Sequence, residues 1–356
     1  MYPSAKNPDY GIFVKNIKEE LSERGLVFNY VSVIKGRSVG IKEKVINYLK
    51  YYFSIGKNYL LKDYDVIYVH FLSHNAPILY LLVYMFGYKK PLIVNVHGSD
   101  VLKYNDGIFK FFNKKILRKT NLLVVPSLYF KEVVEDKFPF LDQNKIYVYP
   151  SGGVDLSVFS SSGESYKYRK NHLTLGFVSR IEENKGWKTF IEGLSLLKKE
   201  GIEFTAIIAG KGLQSDELRE IIGLKSYGNH VEYIGAVPQS ELAALYNKLD
   251  LFVFPTYFEE SLGLVAIEAM ACGVPVIASD LGGPKRYVND EINGYLFEPK
   301  DAKGLVRCIL KYNCLDLVQK EQMKQEALKT AFQFGSKRVN DKMFLKFIEF
   351  QGDKTN

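Results

Sequence analysis

The sequence predicts an α/β protein built from two Rossmann-like domains, and three observations carry that prediction. At 356 residues the chain exceeds one ordinary domain and suffices for two, each with its own core. Short, nearly all-apolar runs alternate with longer amphipathic segments, as βαβ units around parallel sheets covered on both faces require. A polar stretch without helical or strand period, Ser160–Asn171, separates two such series and reads as a linker.

In the first series the predicted strands are Val27–Val33, Val66–His70, Leu92–His97, Leu122–Pro126 and Ile146–Tyr149. In the second they are Thr174–Ser179, Phe204–Ala209, His230–Ile234, Leu251–Pro255 and Pro275–Ser279. Ala76–Tyr88 is the longest apolar run, but it contains Pro77 and Gly87 and falls short of the ~20 residues of a membrane span, so it reads as a buried helix. Phe334–Phe350 reads as a terminal helix with Phe344, Leu345 and Ile348 on one side. The expected domains are residues 1–165 and 172–333, with residues 334–356 packing back on the first. Two such halves imply a ligand cleft between them.

One piece is missing from this scheme. A doubly wound domain opens with a central strand, whose following loop meets the ligand. Here the chain starts inside what reads as that loop, MYPSAKNPDYGIFV, followed by the helical segment Lys15–Arg24. Either the protein begins several apolar residues earlier or the domain folds without that strand. The first is expected, because losing a central strand leaves unpaired backbone on both neighbours.

Composition narrows the class. A hydrophobic fraction of 47% and a charged fraction of 25% are those of a soluble globular protein. Tyr2 to Asp9 is polar and proline-bearing, so no secretory signal is expected and the predicted location is cytoplasmic. Cys272, Cys308 and Cys314 have no metal-ligand spacing and read as free thiols. Residues 1–150 hold 22 Lys and Arg against 13 Asp and Glu, so the whole basic excess of the chain lies there. Anionic partners should meet that half first.

The strongest chemical signal is Phe254–Gly273, FPTYFEESLGLVAIEAMACG. Glu260 stands just ahead of a predicted helix start and Glu268 about one turn inside it, with Ser261-Leu262-Gly263-Leu264 between. Free N–H groups at a helix start favour a phosphate, and the flanking carboxylates can take sugar and ribose hydroxyls. On spacing alone the pair reads equally well as acids complementing a helix dipole. Arg180 and Lys185, in SRIEENKGW, follow a predicted strand, where two cations suit a diphosphate, although by themselves they read more readily as an ordinary surface loop. In the first half, His97-Gly98-Ser99-Asp100 follows another strand. There Asp100 either orients a hydroxyl or caps a helix from Val101.

Taken together these segments resemble glycosyltransferase family 4, the retaining group 1 glycosyltransferases of the GT-B fold. The resemblance runs over nearly the whole chain. It rests on the E-x7-E signature at Glu260 and Glu268, its continuation CGVPVIAS, the Arg-x4-Lys-Gly motif at Arg180 and Lys185, and the HGSD segment. The first loop NPDYGIF and the turn PSGGVD also match, although Ser151 and Gly152 replace the usual Asn of the turn. Gly282-Gly283-Pro284-Lys285-Arg286 resembles a Gly-Gly-x-x-Glu element, with Arg286 where Glu is common.

The resemblance implies an enzyme moving a sugar from a nucleotide-sugar, UDP by default, to a saccharide or lipid-linked acceptor in cell-surface polysaccharide assembly. It implies that Arg180 and Lys185 hold the diphosphate and Glu268 the ribose, that Glu260 and His97 lie by the donor sugar, and that Ser99 and Asp100 line the acceptor side. Gly11 would lie under the diphosphate, and Gly210 near the nucleotide. Neither cofactor nor metal is expected. Asp63-Tyr64-Asp65 is a D-x-D match far from the donor elements, and Gly210-Lys211-Gly212 lacks the third glycine and acidic partner of a nicotinamide site. No nucleic-acid motif accompanies the charge. The basic, aromatic segments Lys42–Phe53 and Phe109–Lys119 read either as solvated helix faces or as a patch for the inner face of an anionic membrane. The rival function is a non-catalytic, transferase-like partner subunit.

Overall fold

A computed structural model describes residues 1–7, 10–87, 90–102, 107–162, 172–224, 227 and 230–352. The chain divides into two compact units, Met1–Gly153 with Lys337–Asn356, and Val154–Ser336. The division at Gly153 falls ahead of the expected linker, most of which lies outside the described residues. Phe159 packs beside Tyr246, and Ser162 N–H donates to Asn247 Oδ1 at 2.9 Å, so the chain after Val154 is tied to the second unit.

The first unit runs α1 (Ile12–Glu23), α2 (Ile41–Leu61), β1 (Ile67–His70), α3 (Leu72–Phe86), β2 (Leu92–Asn95), α4 (Ser99–Leu102), α5 (Gly107–Leu117), β3 (Leu122–Val125), α6 (Leu128–Lys137) and β4 (Ile146–Val148). Its four strands form a parallel sheet in the order β1-β2-β3-β4. β2 and β3 are buried along their whole length, as LIVN and LLVV require when helices cover both faces. One face packs Leu72, Leu79, Val94, Ile116 and Val134, and the other Ile17, Leu21, Ile93, Val124 and Tyr149. The predicted strand at Val27–Val33 forms no ladder and carries no strand assignment. Its β-branched composition is that of a strand, but among the described residues no strand pairs with it.

The second unit runs β5 (His172–Val178), α7 (Trp187–Lys199), β6 (Glu203–Ala209), α8 (Ser215–Leu224), β7 (Val231–Gly235), α9 (Gln239–Tyr246), β8 (Leu251–Phe254), α10 (Leu264–Ala271), β9 (Val276–Ser279), β10 (Gly294–Phe297), α11 (Ala302–Cys314) and α12 (Leu317–Gln333). Its six parallel strands lie in the order β10-β9-β8-β5-β6-β7. β10 was not anticipated from sequence, where Asn293-Gly294 reads only as a turn. The strand order is that of a doubly wound sheet whose direction of winding reverses between β5 and β8. Loops leaving two adjacent strands toward opposite faces open a crevice at that point.

The last helix, α13 (Ser336–Gly352), buries Val339, Met343 and Phe347, a row at i, i+4, i+8, against the core that holds Ile17 and Tyr149. Of the apolar side read from sequence, Phe344 packs against this core, while Leu345 and Ile348 are 60% and 40% exposed. Buried Asn340 fixes the helix, accepting from the Tyr149 hydroxyl and donating to the Gly152 carbonyl at 3.1 Å. Arg24 adds an ion pair to Asp341 at 2.7 Å.

Candidate functional site

The second unit assembles its site at the reversal between β5 and β8. β5 ends at Val178, placing Arg180 at the sheet's carboxyl edge, and a single 3-10 turn over Glu183–Lys185 follows. β8 ends at Phe254, and its loop runs to the start of α10. The two loops are stitched together. The Asn184 carbonyl accepts from the Tyr257 N–H and the Thr256 hydroxyl, each at 3.1 Å. The result brings the Lys185 ammonium onto Glu260 Oε1. Lys185 is only 9% exposed and also lies 5.7 Å over the Phe258 ring. A cation so enclosed is held in place rather than left waving in solvent. Arg180 differs, since its side chain is 64% exposed and pairs with Glu182, at 2.9 Å.

Two glycines permit this approach. Gly186 has φ of 76°, and a Cβ there would stand 1.7 Å from the Pro255 carbonyl oxygen. Gly210 has φ of 136°, and its Cβ would stand 1.7 Å from the Ser179 oxygen. Each lets one loop lie directly on the backbone of its neighbour.

α10 begins at Leu264 behind Gly263, with no side chain capping it. The helix start therefore has backbone donors without a side-chain cap, the arrangement that suits an anion. The Leu262 side chain belongs to the core, and the Tyr287 hydroxyl donates to the carbonyls of Leu262 and Gly263 at 3.0 and 3.1 Å. Ser261 is half-buried, and beneath the loop the Gly283 N–H donates to the Glu260 carbonyl at 2.7 Å. Glu268 lies inside the helix, 5% exposed, receiving bonds from Gln239 Nε2 and the Tyr246 hydroxyl, each at 3.2 Å. Burial raises its carboxyl above the ordinary range, and these two donors partly oppose that. Gln239 and Tyr246 were missed from sequence, because no spacing links α9 to Glu268 before the sheet aligns them.

In the first unit His97 follows β2, with its Nε2 3.0 Å from His70 Nδ1 and the two rings stacked. Phe13 and Phe71 enclose it at centroid distances of 4.8 and 4.6 Å. Asp100 lies inside α4, one residue after its start, rather than ahead of a helix from Val101. It accepts from the His97 and Leu72 N–H groups, each at 2.9 Å, and tethers the loop. Ser99 starts α4, and its side chain lies outside the described residues, as do Pro8 and Asp9 of the first loop. Gly11 precedes α1 at φ of 72°, where a Cβ would lie 2.8 Å from the Met1 carbonyl carbon.

These groups make the first unit acid-sensitive. Burial, then the nearby Met1 ammonium, hold the His70 imidazole down to about 3. An unfolded histidine protonates near 6.5. Below that value the unfolded chain takes the proton and the folded one does not, so stability falls as pH drops from about 6.5 toward 3. Asp100, pushed up to about 6 by burial, opposes part of this below pH 6. Urea unfolding across this range should show the loss, and His70→Gln should lessen it, leaving the share that buried His97 contributes in the same direction.

Among the described residues no cluster of His, Cys, Asp and Glu could hold a metal ion, and no helix is long and apolar enough to cross a membrane.

A doubly wound unit with a cation–carboxylate pair and an uncapped helix start at its switch point is a nucleotide-binding α/β architecture, in a chain that also carries a second parallel-sheet unit. Comparison with known proteins places it further. Residues 162–329 match the family model "Glycosyl transferases group 1", and residues 12–158 match "Glycosyltransferase Family 4". The chain belongs to this family and is an enzyme of glycosyl transfer, with the GT-B fold. An uncharacterized glycosyltransferase of Methanocaldococcus jannaschii is 25% identical over 93% of this chain and 86% of its own length. A phosphatidyl-myo-inositol mannosyltransferase of Mycolicibacterium smegmatis is 28% identical over 70% of this chain and 62% of its own. Among solved structures, sucrose-phosphate synthase from Thermosynechococcus elongatus matches at a TM-score of 0.78 and 19% identity, covering 99% of this chain and 94% of that one. Anabaena HepE in complex with UDP matches at 0.72 and 20% identity, covering 98% of this chain and all of that one.

Proposed function

We propose that the second unit binds a nucleotide-sugar and that the enzyme transfers its sugar with retention of anomeric configuration. The observation that carries this reading is the enclosed Lys185–Glu260 pair at the uncapped start of α10, with Glu268 inside the same helix. Lys185 and the helix amides bind the diphosphate, assisted by Arg180. Glu268 takes the ribose hydroxyls, exchanging its Gln239 bond for them. UDP is the proposed nucleotide, and HepE, similar in fold, has been crystallised with UDP-glucose.

In the transfer, the bond from C1 of the sugar to the diphosphate oxygen breaks and a bond from the acceptor hydroxyl oxygen to C1 forms on the same face. The acceptor's proton passes to the departing diphosphate, whose growing negative charge Lys185 and the helix amides stabilise. Glu260 and His97 position the sugar, and Ser99 and Asp100 belong to the acceptor side. His97 stays neutral there, held well below its ordinary value by burial and by neighbouring His70. No metal or other cofactor takes part in this scheme.

Calorimetric titration tests the donor assignment. UDP should bind with heat, and Glu268→Ala should weaken it at least tenfold, as loss of two charge-assisted bonds requires. Absence of heat with every nucleoside diphosphate would favour the non-catalytic partner subunit.

The acceptor is proposed to be a saccharide, free or on a lipid carrier at the inner face of the cell membrane, in cell-surface polysaccharide assembly. Support comes from the first unit's charge and from the apolar side chains of α5, where Ile108 is 65% and Phe111 46% exposed beside Lys114 and Lys115. Such a surface combines insertion with attraction to anionic lipid. Sedimentation with anionic but not zwitterionic vesicles at low salt, lost on Phe111→Ser with Lys115→Glu, is the expected result. No binding to either kind of vesicle would overturn it.

A further inference from the structure

His70 has no role in the transfer described above, yet the carboxyl edge of the first unit's sheet is arranged around it. It ends β1, where it registers with Asn95 of β2, two residues short of His97. Phe71 follows at φ of 65°, a left-handed conformation that a bulky side chain adopts only under constraint. The constraints lie on either side. The Phe71 N–H donates to the Asn95 carbonyl at 3.0 Å, and the Leu72 N–H to Asp100 Oδ2 at 2.9 Å. Asn75, 3% exposed, donates to the carbonyls of His70 and Phe71, each at 2.9 Å, and accepts from the Tyr51 hydroxyl at 2.6 Å. Asp100 also accepts from the His97 N–H, so one carboxylate fixes the backbone of both histidine loops.

What the arrangement produces is a contact between two rings. His70 Nδ1 and His97 Nε2 stand 3.0 Å apart, within hydrogen-bond distance. The rings are parallel within 4° and their centroids lie 5.2 Å apart, so each nitrogen meets the other close to the plane that holds its lone pair or N–H. Burial keeps both rings neutral near neutral pH. One proton then lies in the contact, because two facing N–H groups clash and two facing lone pairs repel. A neutral histidine side chain favours the proton on Nε2. Only one arrangement leaves both rings in that form, with His97 Nε2–H donating to His70 Nδ1. The lone pair of His97 Nδ1 is thereby left as an acceptor.

We propose that His70 is a positioning residue for sugar transfer. By accepting from His97 Nε2–H it fixes that ring's rotation and tautomer, so that His97 Nδ1 meets a hydroxyl of the donor sugar as a hydrogen-bond acceptor. An acceptor suits the reaction, because the sugar ring gains positive charge as the bond at C1 breaks, and a hydroxyl that donates gains electron density. This rests on the reading that His97 lies by the donor sugar.

Nitrogen NMR of the enzyme with isotope-labelled histidines tests the contact without any variant. His97 should show a protonated Nε2 and an unprotonated Nδ1, with coupling across the bond to His70 Nδ1. Two substitutions test the role. His70→Phe keeps a buried ring but accepts no hydrogen bond, whereas His70→Asn places an amide oxygen close to the position of Nδ1. His70→Phe should lower kcat about tenfold, the worth of one buried hydrogen bond, with UDP affinity unchanged, and His70→Asn should retain most of the activity. In a His97→Ala background His70→Phe should have no further effect, since it acts only through that ring. Equal loss with Asn and Phe, a full further loss in the His97→Ala background, or a proton on His97 Nδ1 would each overturn the proposal and leave the reading of His97 standing. Wild-type transfer by His97→Ala would instead overturn that reading, and the proposal with it.

Discussion

Lys185→Ala is expected to lower sugar transfer by about 10²–10³-fold, comparable to removing one preorganised donor from a developing oxyanion. The magnitude follows from enclosure. A surface lysine beside a diphosphate contributes little, because water screens it and its side chain must be ordered on binding. Lys185 is already ordered, fixed between Glu260 and the Phe258 ring and 9% exposed. Its charge therefore acts where screening is weak. Alanine there also leaves Glu260 facing the diphosphate without its counter-charge, so Lys185→Ala with Glu260→Gln should recover part of the nucleotide affinity. Steady-state release of UDP from UDP-sugars measures the first effect, and calorimetry the second. Near-wild-type turnover of Lys185→Ala would remove this lysine from the donor site.

The second large effect is on folding. Gly186→Ala should destabilise the second unit by about 4 kcal/mol or prevent its folding, an exceptional cost for one methyl group. The added Cβ would stand 1.7 Å from the Pro255 carbonyl oxygen, at a left-handed φ that alanine resists. Backbone meets backbone there, so no side chain can swing aside. Gly193→Ala is the matched comparison, because the nearest atom to its Cβ would be the Leu305 Cδ2 at 3.0 Å, the end of a flexible side chain. Urea unfolding of both variants should separate them by several kcal/mol. If they unfold alike, the close approach of the two loops is not what orders the site.

Much of this was legible beforehand because it depends on local pattern. Runs such as LIVN, LLVV and LFVF are too short and too apolar for anything but strands buried on both faces. The spacing of Glu260 and Glu268 placed one before α10 and one within it. Where the reading erred, the deciding neighbour lay elsewhere in the chain. Val27–Val33 has the composition of a strand, but a strand exists only when a partner takes its hydrogen bonds. Gly294–Phe297 looks like a turn and its tail until β9 offers an edge to pair with. On α13, Phe344, Leu345 and Ile348 formed a plausible apolar side, but the row at Val339, Met343 and Phe347 is the one that meets Tyr149 and Ile17.

By itself the sequence determined the class of protein: two α/β units, the motif residues of the second, and a basic first half. The tertiary structure decided what those residues can do. It joined Lys185 to Glu260 across 75 positions of chain, gave Glu268 its partners on α9, and used Asp100 to tether a loop. Secondary structure follows from periodicity, which neighbouring residues carry. Ion pairs and burial depend on which strands lie side by side, and that is settled only when the sheet forms.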